Sequence, residues 1–268
     1  MKLHDYYEGA ALWDKSRYVQ GYEHRRLMTG VEMIPKDCGS IGDIGCGNAA
    51  FLALVEAHRP TIRAVGLDPS HTAAARRWCA APVVIGQIAD LPFPDKAFDV
   101  VASMAVLEHI PEAALGRAIN EIMRVSARYI LLNLPYRERR CRIRCNACGC
   151  GFDPHLHLRS YDDPQIERLF PGFKERRRVV LSGEEALIPF CALRLLRFEV
   201  SARRFPNAIC PQCGCRVPPV PADSPAPTAA PRRSILRRLW QMQPMITVVR
   251  EIFVLFERAD AATTPKAA

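Results

Sequence analysis

The sequence predicts an α/β fold in which helices cover both faces of a mainly parallel sheet. Short apolar stretches alternate with helical ones between residues 40 and 133. This alternation is typical of parallel sheets whose two faces are both buried. The predicted strands are Ser40–Ile44, Arg63–Leu67, Pro82–Ile85, Phe98–Ser103 and Tyr129–Asn133. The predicted helices between them are Ala49–His58, Ser70–Cys79 and Glu112–Val125.

The alternation ends after residue 133, where a basic, cysteine-rich stretch begins. A helix at Asp162–Phe170 and a strand at Phe173–Leu181 are predicted beyond it, and residues 5–35 are predicted to be mostly helical. Residues 217–231 are rich in Pro and Ala and too poor in large apolar groups to pack, which indicates a linker. We therefore divide the chain into five regions. They are an N-terminal helical segment (1–36), a core (37–136), a region of insertions with a completing helix and strand (137–216), a linker (217–234) and a C-terminal segment (235–268).

Composition and charge narrow the class of protein. The 268 residues, 49% of them hydrophobic, can form one large core or one core with a small lobe. The polar N-terminus lacks a signal-peptide pattern, and no uncharged apolar run reaches about 18 residues, so we expect a cytoplasmic protein. The net charge of +9 arises from arginine clusters at 137–144, 174–178 and 232–238. These clusters could bind phosphates or an anionic membrane, or could simply form a solvated face.

A glycine-containing loop joins the first predicted strand to the first predicted helix. In GDIGCGNAAFL, Gly45 and Gly47 let the backbone approach a ligand closely, and the helix behind them offers N–H groups. Asp43 lies within the same motif, Asp68 ends the second strand, and Asp90 follows the third. A carboxylate at the position of Asp68 can accept both hydroxyls of a ribose. A carboxylate at the position of Asp90 can bind the amine of an adenine.

A dinucleotide site is an alternative interpretation of this loop. Gly45, Gly47 and Ala50 match the spacing of a dinucleotide fingerprint, which is weak evidence alone. A dinucleotide site explains Asp68 but does not require Asp43 or Asp90. The joint spacing of the three carboxylates therefore favours a different adenosine cofactor.

The five segments GDIGCGNAAFL, VGLDPS, ADLPFPDKAFDVV, SMAVLEHIPE and EIMRVSARYILLNLP occupy residues 41–135 in order. In these segments the chain resembles the class I S-adenosylmethionine-dependent methyltransferases, specifically the type 11 methyltransferase-domain group. The resemblance implies a Rossmann-like class I sheet and binding of S-adenosylmethionine (SAM). It implies that the methionine part of SAM lies against Asp43, Gly45, Cys46 and Gly47. The ribose would lie against Asp68 and Pro69, and the adenine against Asp90 and Leu91.

One position departs from the family pattern. Many members have glycine where this chain has Ala49. We expect alanine to be tolerated there, on the assumption that the position needs only a negative φ.

Two residues after the fourth strand are candidates for acid–base chemistry. The resemblance implies that SMAVLEH passes the methyl group, which makes Glu108 and His109 the nearest titratable groups. A histidine with an ordinary pKa could take a proton from a hydroxyl acceptor. Alternatively, His109 belongs to a helix start and binds backbone. Methyl transfer can also proceed largely by proximity and orientation, without a general base.

Six of the eleven cysteines fall in two matching hexapeptides, CNACGC at Cys145–Cys150 and CPQCGC at Cys210–Cys215. Two C-x-x-C pairs in a cytosolic chain indicate a metal site rather than disulfides. We predict a structural Zn²⁺ site and a small discontinuous zinc-ribbon-like lobe, with the ligands Cys145, Cys148, Cys210 and Cys213. Cys150 and Cys215 are additional thiols. His155 or His157 could replace one ligand or face the acceptor, or be surface residues.

The topology suggests where such a lobe would lie. The first hexapeptide leaves the fifth strand and the second follows the sixth, so both should emerge at the carboxyl edge, where α/β sheets bind ligands. We therefore hypothesise that zinc ties two insertions into a lid over the acceptor site.

Residues 235–258 allow two interpretations. Glu251–Glu257 could form the last, antiparallel strand of the sheet, or Ile235–Phe256 could form a basic amphipathic helix that contacts a membrane peripherally. Pro244 would interrupt such a helix and the sheet needs a closing strand, so we predict the strand.

Together these patterns predict a SAM-dependent methyltransferase that acts on a small-molecule or glycan-type acceptor. One alternative is methylation of RNA or protein, in which the arginine clusters hold the substrate. A catalytically inactive zinc-containing binding module and a nicotinamide-dependent dehydrogenase are further alternatives, and a titration with SAM and with NAD separates them.

Overall fold

The structure is a computed structural model that describes residues 6–138, 140, 142–145, 147–186, 208–215 and 245–259. The predicted linker at 217–234, residues 235–244 and most of 184–209 lie outside this part of the chain. The described residues fall into two compact units. The smaller unit takes in those within Arg139–His157 and Ser182–Val249, and the larger takes in those within Leu3–Glu138, Leu158–Leu181 and Arg250–Ala268.

A seven-stranded sheet of mixed direction forms the centre of the fold, in the order β3-β2-β1-β4-β5-β9-β8. β1 to β5 pair in parallel, and β9 pairs antiparallel with β5. A separate two-stranded antiparallel sheet joins β6 and β7. The strands are β1 Ser40–Ile44, β2 Arg63–Asp68, β3 Val83–Ile85, β4 Phe98–Met104, β5 Ser126–Pro135, β6 Ile143–Arg144, β7 Gly151–Phe152, β8 Phe173–Ala186 and β9 Met245–Arg258.

Helices cover both faces of the large sheet. Apolar residues of α1 and α2 pack with Ile41, Ala102 and Leu131 on one face. Those of α4 and α5 pack with Val101 and Ile130 on the other. This is the predicted Rossmann-like class I arrangement. The helices are α1 Gly21–Met33, α2 Ala50–His58, α3 His71–Ala75, α4 Glu112–Val125 and α5 Asp163–Glu167.

Several elements differ in extent from the prediction. Within the described residues 6–35 the longest helix is α1, and two 3₁₀ turns at Ala10–Trp13 and Lys15–Tyr18 precede it. The helix predicted to reach Cys79 ends at Ala75, because the N–H of Trp78 donates to Asn48 O instead of continuing the helix. α5 is also shorter than predicted, although its N-cap Asp162 forms a complete capping box with Gln165.

The C-terminal segment is a strand where the structure describes it. Glu251 to Glu257 pair with Pro135 to Tyr129 of β5, so β9 lies between β5 and β8. The prediction of a closing antiparallel strand is confirmed for these residues. In the described part of the chain, no helix has the length and apolar character needed to cross a membrane.

Candidate active site and metal centre

The loop between β1 and α2 requires both of its central glycines. Gly45 has a φ of +83°, and a Cβ there would lie 2.5 Å from Val106 Cγ2. Gly47 has a φ of +54°, and a Cβ there would lie 2.5 Å from the Trp13 ring. Any larger residue would therefore combine backbone strain with a steric clash. The N–H groups of Gly45 and Cys46 both donate to Leu67 O of β2, which fixes the loop at the sheet edge.

Ala49 has a conformation that the sequence analysis did not expect. Its φ is +56°, in the left-handed region, and it is the N-cap of α2. The expectation of a negative φ was wrong, because the N–H of Ala49 turns back to bond Cys46 O at 2.8 Å and closes the loop. A glycine would adopt this left-handed conformation without strain.

Asp68 connects the loops that follow β1 and β2. Its Oδ2 accepts from the N–H of Gly47 and its Oδ1 from the N–H of Ser70, both at 2.8 Å. The carboxylate is buried, at 6% exposure. Half-buried Pro69 follows it. The N-cap of α3 is Ser70, whose Oγ accepts from the N–H of Ala73, so Asp68 is not the capping residue.

Asp43 is buried at the end of β1 with 1% exposure. Its Oδ1 has no hydrogen-bond partner among the residues that the structure describes. Burial, with a smaller contribution from the charge of Asp68, raises the pKa of Asp43 to about 8, while nearby Arg26 opposes the shift. A buried carboxyl with an open acceptor atom is suited to a positively charged ligand group.

A buried polar network beside Asp43 was missed by the sequence analysis. Arg26 of α1 donates to Asn133 Oδ1 at 2.7 Å and to Glu23 Oε2 through Nε and Nη2. Asn133 in turn donates to Glu251 Oε2 at 2.8 Å. The network joins α1, β5 and β9 at the carboxyl end of β5, so it supports the sheet edge on which the candidate site lies.

The third predicted carboxylate lies in a more open position. Asp90 follows β3 in an exposed turn, where its N–H bonds Gln87 O and the two residues form an antiparallel bridge. Its neighbour Leu91 is buried and donates its N–H to Glu121 at 2.8 Å. The adenine contacts that the resemblance implies would therefore combine an exposed carboxylate with a buried aliphatic side chain.

The N-terminal segment contacts the candidate cofactor loops, which the sequence analysis also missed. Tyr7 O accepts from Trp13 Nε1 at 2.7 Å and from Ser70 Oγ at 3.0 Å. The Glu8 carboxylate accepts from the N–H groups of His71 and Thr72. The aromatic residues before the first strand were the only signal in the sequence, and they gave no indication of which loops they would contact.

Glu108 and His109 lie in a 3₁₀ turn at Leu107–His109, directly after β4. Glu108 is buried at 1% exposure and His109 is half-buried. His109 Nε2 lies 3.9 Å from Glu108 Oε1. The two side chains are thus close enough to share a proton through small movements or a water molecule.

The four predicted zinc ligands come together in the smaller unit. Their sulfur atoms all lie within 4.8 Å of one another, and the pairs Cys145–Cys213 and Cys148–Cys210 are 3.6 Å apart. Tetrahedral Zn²⁺ with Zn–S bonds of about 2.3 Å places its sulfurs about 3.8 Å apart. The donor set and its spacing therefore fit zinc.

The two hexapeptides fold alike. Cys145 N–H bonds Cys150 O at 2.8 Å, and Cys210 N–H bonds Cys215 O at 3.0 Å. Gly149 and Gly214 adopt positive φ values of 73° and 72° and donate back to the first cysteine of each hexapeptide. The backbone N–H groups of Cys148 and Ala147 lower the pKa of the Cys145 thiol to about 6, which favours the thiolate that a metal requires.

The remaining candidates are not members of this cluster. Cys150 and Cys215 are half-buried thiols outside the four-sulfur group. His155 is exposed, and its ring lies 5.6 Å from that of half-buried His157. The four-cysteine cluster contains neither histidine.

Comparisons with known proteins agree with this geometry. The methyltransferase-domain family matches residues 42–128. Trans-aconitate 2-methyltransferase of Streptomyces avermitilis is 30% identical over 112 residues, 37% of this chain and 42% of that protein. Demethylmenaquinone methyltransferase of a Roseiflexus species is 28% identical over 165 residues, 54% of this chain and 67% of that protein. A SAM-dependent methyltransferase structure from Thermotoga maritima has a TM-score of 0.52 at 14% identity, covering 95% of this chain and 99% of that one.

These matches differ in what they establish. The chain spans 42% of the length of the Streptomyces protein, so the match concerns the domain rather than the whole protein. The Thermotoga structure shows a shared fold across nearly the whole length. The family match, the strand order and the glycine loop coincide in the same residues. Residues 42–128 are therefore similar to the methyltransferase-domain family, and the chain shares the fold of the Thermotoga methyltransferase structure.

Proposed function

We propose that this chain transfers the methyl group of S-adenosylmethionine to a small-molecule or glycan-type acceptor. The observation that carries the proposal is the pair of buried carboxylates, Asp43 and Asp68, which end adjacent parallel strands on either side of the Gly45–Gly47 loop. The names of two relatives specify small molecules, trans-aconitate and demethylmenaquinone, which supports a small acceptor here.

Each part of the site has a proposed role. Bound SAM would supply an electrophilic methyl group on a positively charged sulfur. Asp68 would hold the ribose hydroxyls while continuing to fix the Gly47 N–H. Asp43, whose Oδ1 has no partner in the described structure, would face the cationic methionine end, beside Gly45, Cys46 and Gly47. Asp90 would accept from the adenine amine, with Leu91 against the ring.

Proton handling would fall to the turn after β4. Glu108 and His109 are the titratable side chains of that turn, and the 3.9 Å between them allows one to take an acceptor proton and the other to stabilise it. The burial of Glu108 limits access of bulk water to this point. Orientation of the acceptor against these groups would supply much of the rate enhancement.

We also propose that Cys145, Cys148, Cys210 and Cys213 hold one structural zinc ion. Four protein thiolates fill a tetrahedral shell and leave no position for a substrate or a reactive water. The matching turns of the two hexapeptides support this role, because each presents two sulfurs to a common centre.

Calorimetric titration of the full chain with SAM and with NAD tests the proposed cofactor. We expect saturable binding of SAM and of its demethylated product SAH, with no heat from NAD. Binding of NAD but not of SAM would replace the proposal with the dehydrogenase alternative. SAM binding without turnover of any acceptor, in small-molecule, RNA and protein pools, would favour the inactive binding module.

Metal analysis of the purified chain tests the zinc site. We expect about one zinc per chain, lost in Cys145→Ser and Cys210→Ser. Cys79→Ser is the matched control, because Cys79 is half-buried and its thiol bonds Ala81 O, outside the cluster. Equal zinc content in all four proteins would place the metal elsewhere or show it to be adventitious.

A further inference from the structure

Tyr7 and Tyr161 are two of three tyrosines, with Tyr22, whose buried hydroxyl groups make no hydrogen bond within the described structure. Tyr161 is 4% exposed as a whole residue. A buried hydroxyl without a partner destabilises a fold, because it loses its water and gains nothing in return. Groups of this kind occur where a ligand completes the hydrogen bonding, so the surroundings of each hydroxyl are informative.

Tyr7 contacts residues that follow the second and the fourth strands. Its carbonyl is fixed by Ser70, two residues after Asp68, and its ring packs edge-on against the His109 ring with a centroid separation of 5.9 Å. Burial, then the phenol of Tyr6 and the charges of Glu108 and Asp68, raise the pKa of Tyr7. The charges of Glu108 and Asp68 therefore both act on the Tyr7 hydroxyl.

Tyr161 approaches the same turn from the end of β5. Its N–H donates to Pro135 O at 3.1 Å, and it forms a parallel bridge with Tyr136 that extends the sheet edge. Burial raises the pKa of Tyr161 to about 12. The Arg159 guanidinium opposes this shift through its charge and its closeness to the hydroxyl, and the Glu108 charge adds to it. Tyr161 and Tyr7 therefore both lie near Glu108.

Hydrogen bonds from Leu158 and Arg159 fix the turn that carries Glu108. Arg159 Nη1 donates to Leu107 O and Ile110 O, both at 2.6 Å, and the N–H of Leu158 donates to Glu108 O at 2.8 Å. Arg159 also binds Glu112 at 3.0 Å. These bonds direct the guanidinium to the turn and to α4, and it lies next to the Tyr161 hydroxyl without forming a hydrogen bond of standard geometry to it.

We infer that the hydroxyls of Tyr7 and Tyr161 line the methyl end of the cofactor site and hold the polar group of the acceptor beside Glu108. The inference rests on the proposed function, since it assumes that SAM occupies the loop fixed by Asp68. The tyrosines are then binding residues. Their unpaired hydroxyls remain available to the acceptor, and they lower the stability of the unliganded protein.

Stability measurements separate this role from a structural one. Removing a hydroxyl that has no partner should leave the melting temperature of unliganded Tyr7→Phe and Tyr161→Phe unchanged or slightly raised. The matched control is Tyr136→Phe, since that hydroxyl donates to Asp163 at 2.7 Å. The control should melt about 2–4 °C lower than the wild type. A comparable fall in either test variant would show that its hydroxyl already makes a structural bond and would overturn the inference.

A second measurement locates the hydroxyls relative to the methyl group. Tyrosines are replaced by 3-fluorotyrosine, their ¹⁹F signals are assigned with the three Phe variants, and spectra are recorded with saturating SAM and with saturating SAH. SAM differs from SAH by the methyl group and the positive charge on sulfur. The signals of Tyr7 and Tyr161 should differ between the two complexes, and that of Tyr136 should not.

The outcomes distinguish the inference from the proposed function. If calorimetry shows that SAM binds but the Tyr7 and Tyr161 signals are identical in the two complexes, the inference is wrong and the proposed function stands. If SAM does not bind, both are wrong. Different signals for the two tyrosines, with an unchanged Tyr136 signal, support the inference.

Discussion

Asp68 Oδ2 accepts a hydrogen bond from the backbone N–H of Gly47 at 2.8 Å, so one carboxylate of β2 fixes the loop that follows β1. Its other oxygen accepts from Ser70 at the same distance. Asp68 therefore shapes the candidate cofactor site even before any ligand is present. The proposed ribose contact would add to bonds that the residue already makes.

Replacing this carboxylate should weaken cofactor binding strongly. Asp68→Ala removes two charge-assisted bonds of the loops and the proposed ribose ligand. Each such bond contributes about 1.5–3 kcal/mol, so we expect the SAH dissociation constant to rise at least about 10-fold. Isothermal calorimetry measures the change.

Asp99→Ala is a matched control for Asp68→Ala. Asp99 accepts from the N–H groups of Gly39 and Ser40 at the start of β1. This is the opposite end of the strand from the Gly45–Gly47 loop. We expect it to lower stability without changing the SAH dissociation constant. An equal loss of affinity in both variants would mean that Asp68 acts only through general destabilisation.

The buried Asp43 should make stability depend on pH. Its folded pKa of about 8 lies above its usual value of 3.8, so between these values the folded state binds the proton that the unfolded state releases. Stability should therefore fall as pH rises from about 4 to 8. Asp43→Asn lacks this titration. The free energy of unfolding of the variant relative to the wild type should therefore be higher at pH 8 than at pH 6, by roughly 2 kcal/mol. Urea denaturation of both proteins at the two pH values measures this change. The same stability difference at both pH values would contradict the raised pKa of Asp43.

The left-handed conformation of Ala49 predicts an asymmetry between neighbouring alanines. Ala49→Gly loses about 0.8 kcal/mol of methyl burial but gains about 1 kcal/mol from relief of the backbone. Ala50→Gly, within α2, loses both burial and helix propensity. We expect Ala50→Gly to be less stable than Ala49→Gly by at least about 1 kcal/mol in urea denaturation. Equal stabilities would argue against the positive φ at Ala49.

The network around Arg26 should be sensitive to the loss of its cation. Arg26→Met removes the cation beside Glu251, a half-buried acid that lies 3.8 Å from Arg26 Nε. Because Glu251 is partly exposed, we expect a loss of about 1–3 kcal/mol, less than breaking a fully buried pair would cost. Arg25→Met is the control, because Arg25 is exposed on the same helix and its loss should change stability by no more than about 0.5 kcal/mol.

The coupling within this network can be measured separately. Adding Glu251→Gln to Arg26→Met removes the orphaned charge, so the double variant should recover part of the stability lost in the single one. Additive losses would show that the two side chains are energetically independent, despite the bonds that both make to Asn133.

The sequence predicted the fold where local patterns carry the information. Apolar strands and the helices between them have recognisable periods, and the two C-x-x-C pairs identified the four clustered thiols before their geometry was known. The glycine loop was also identified, because Gly45 and Gly47 are needed for backbone reasons that are local to the turn.

The missed features depend on contacts between distant residues. Arg26 looks like an ordinary charged residue of a surface helix, and only its bond to Asn133, 107 positions later, makes it part of a buried network. The early end of α3 likewise depends on Trp78 binding Asn48. The positive φ of Ala49 was missed because alanine carries no mark of it in the sequence.

The pairing of hexapeptides 65 residues apart affects how the chain can be made. At about 5–20 residues per second, the ribosome would present the first thiol pair some 3–13 s before the second. During that interval Cys145 and Cys148 could offer a metal only half of its final shell. Zinc capture would therefore come late in biosynthesis, and nascent chains held in zinc-poor or oxidising surroundings would be most vulnerable in that interval.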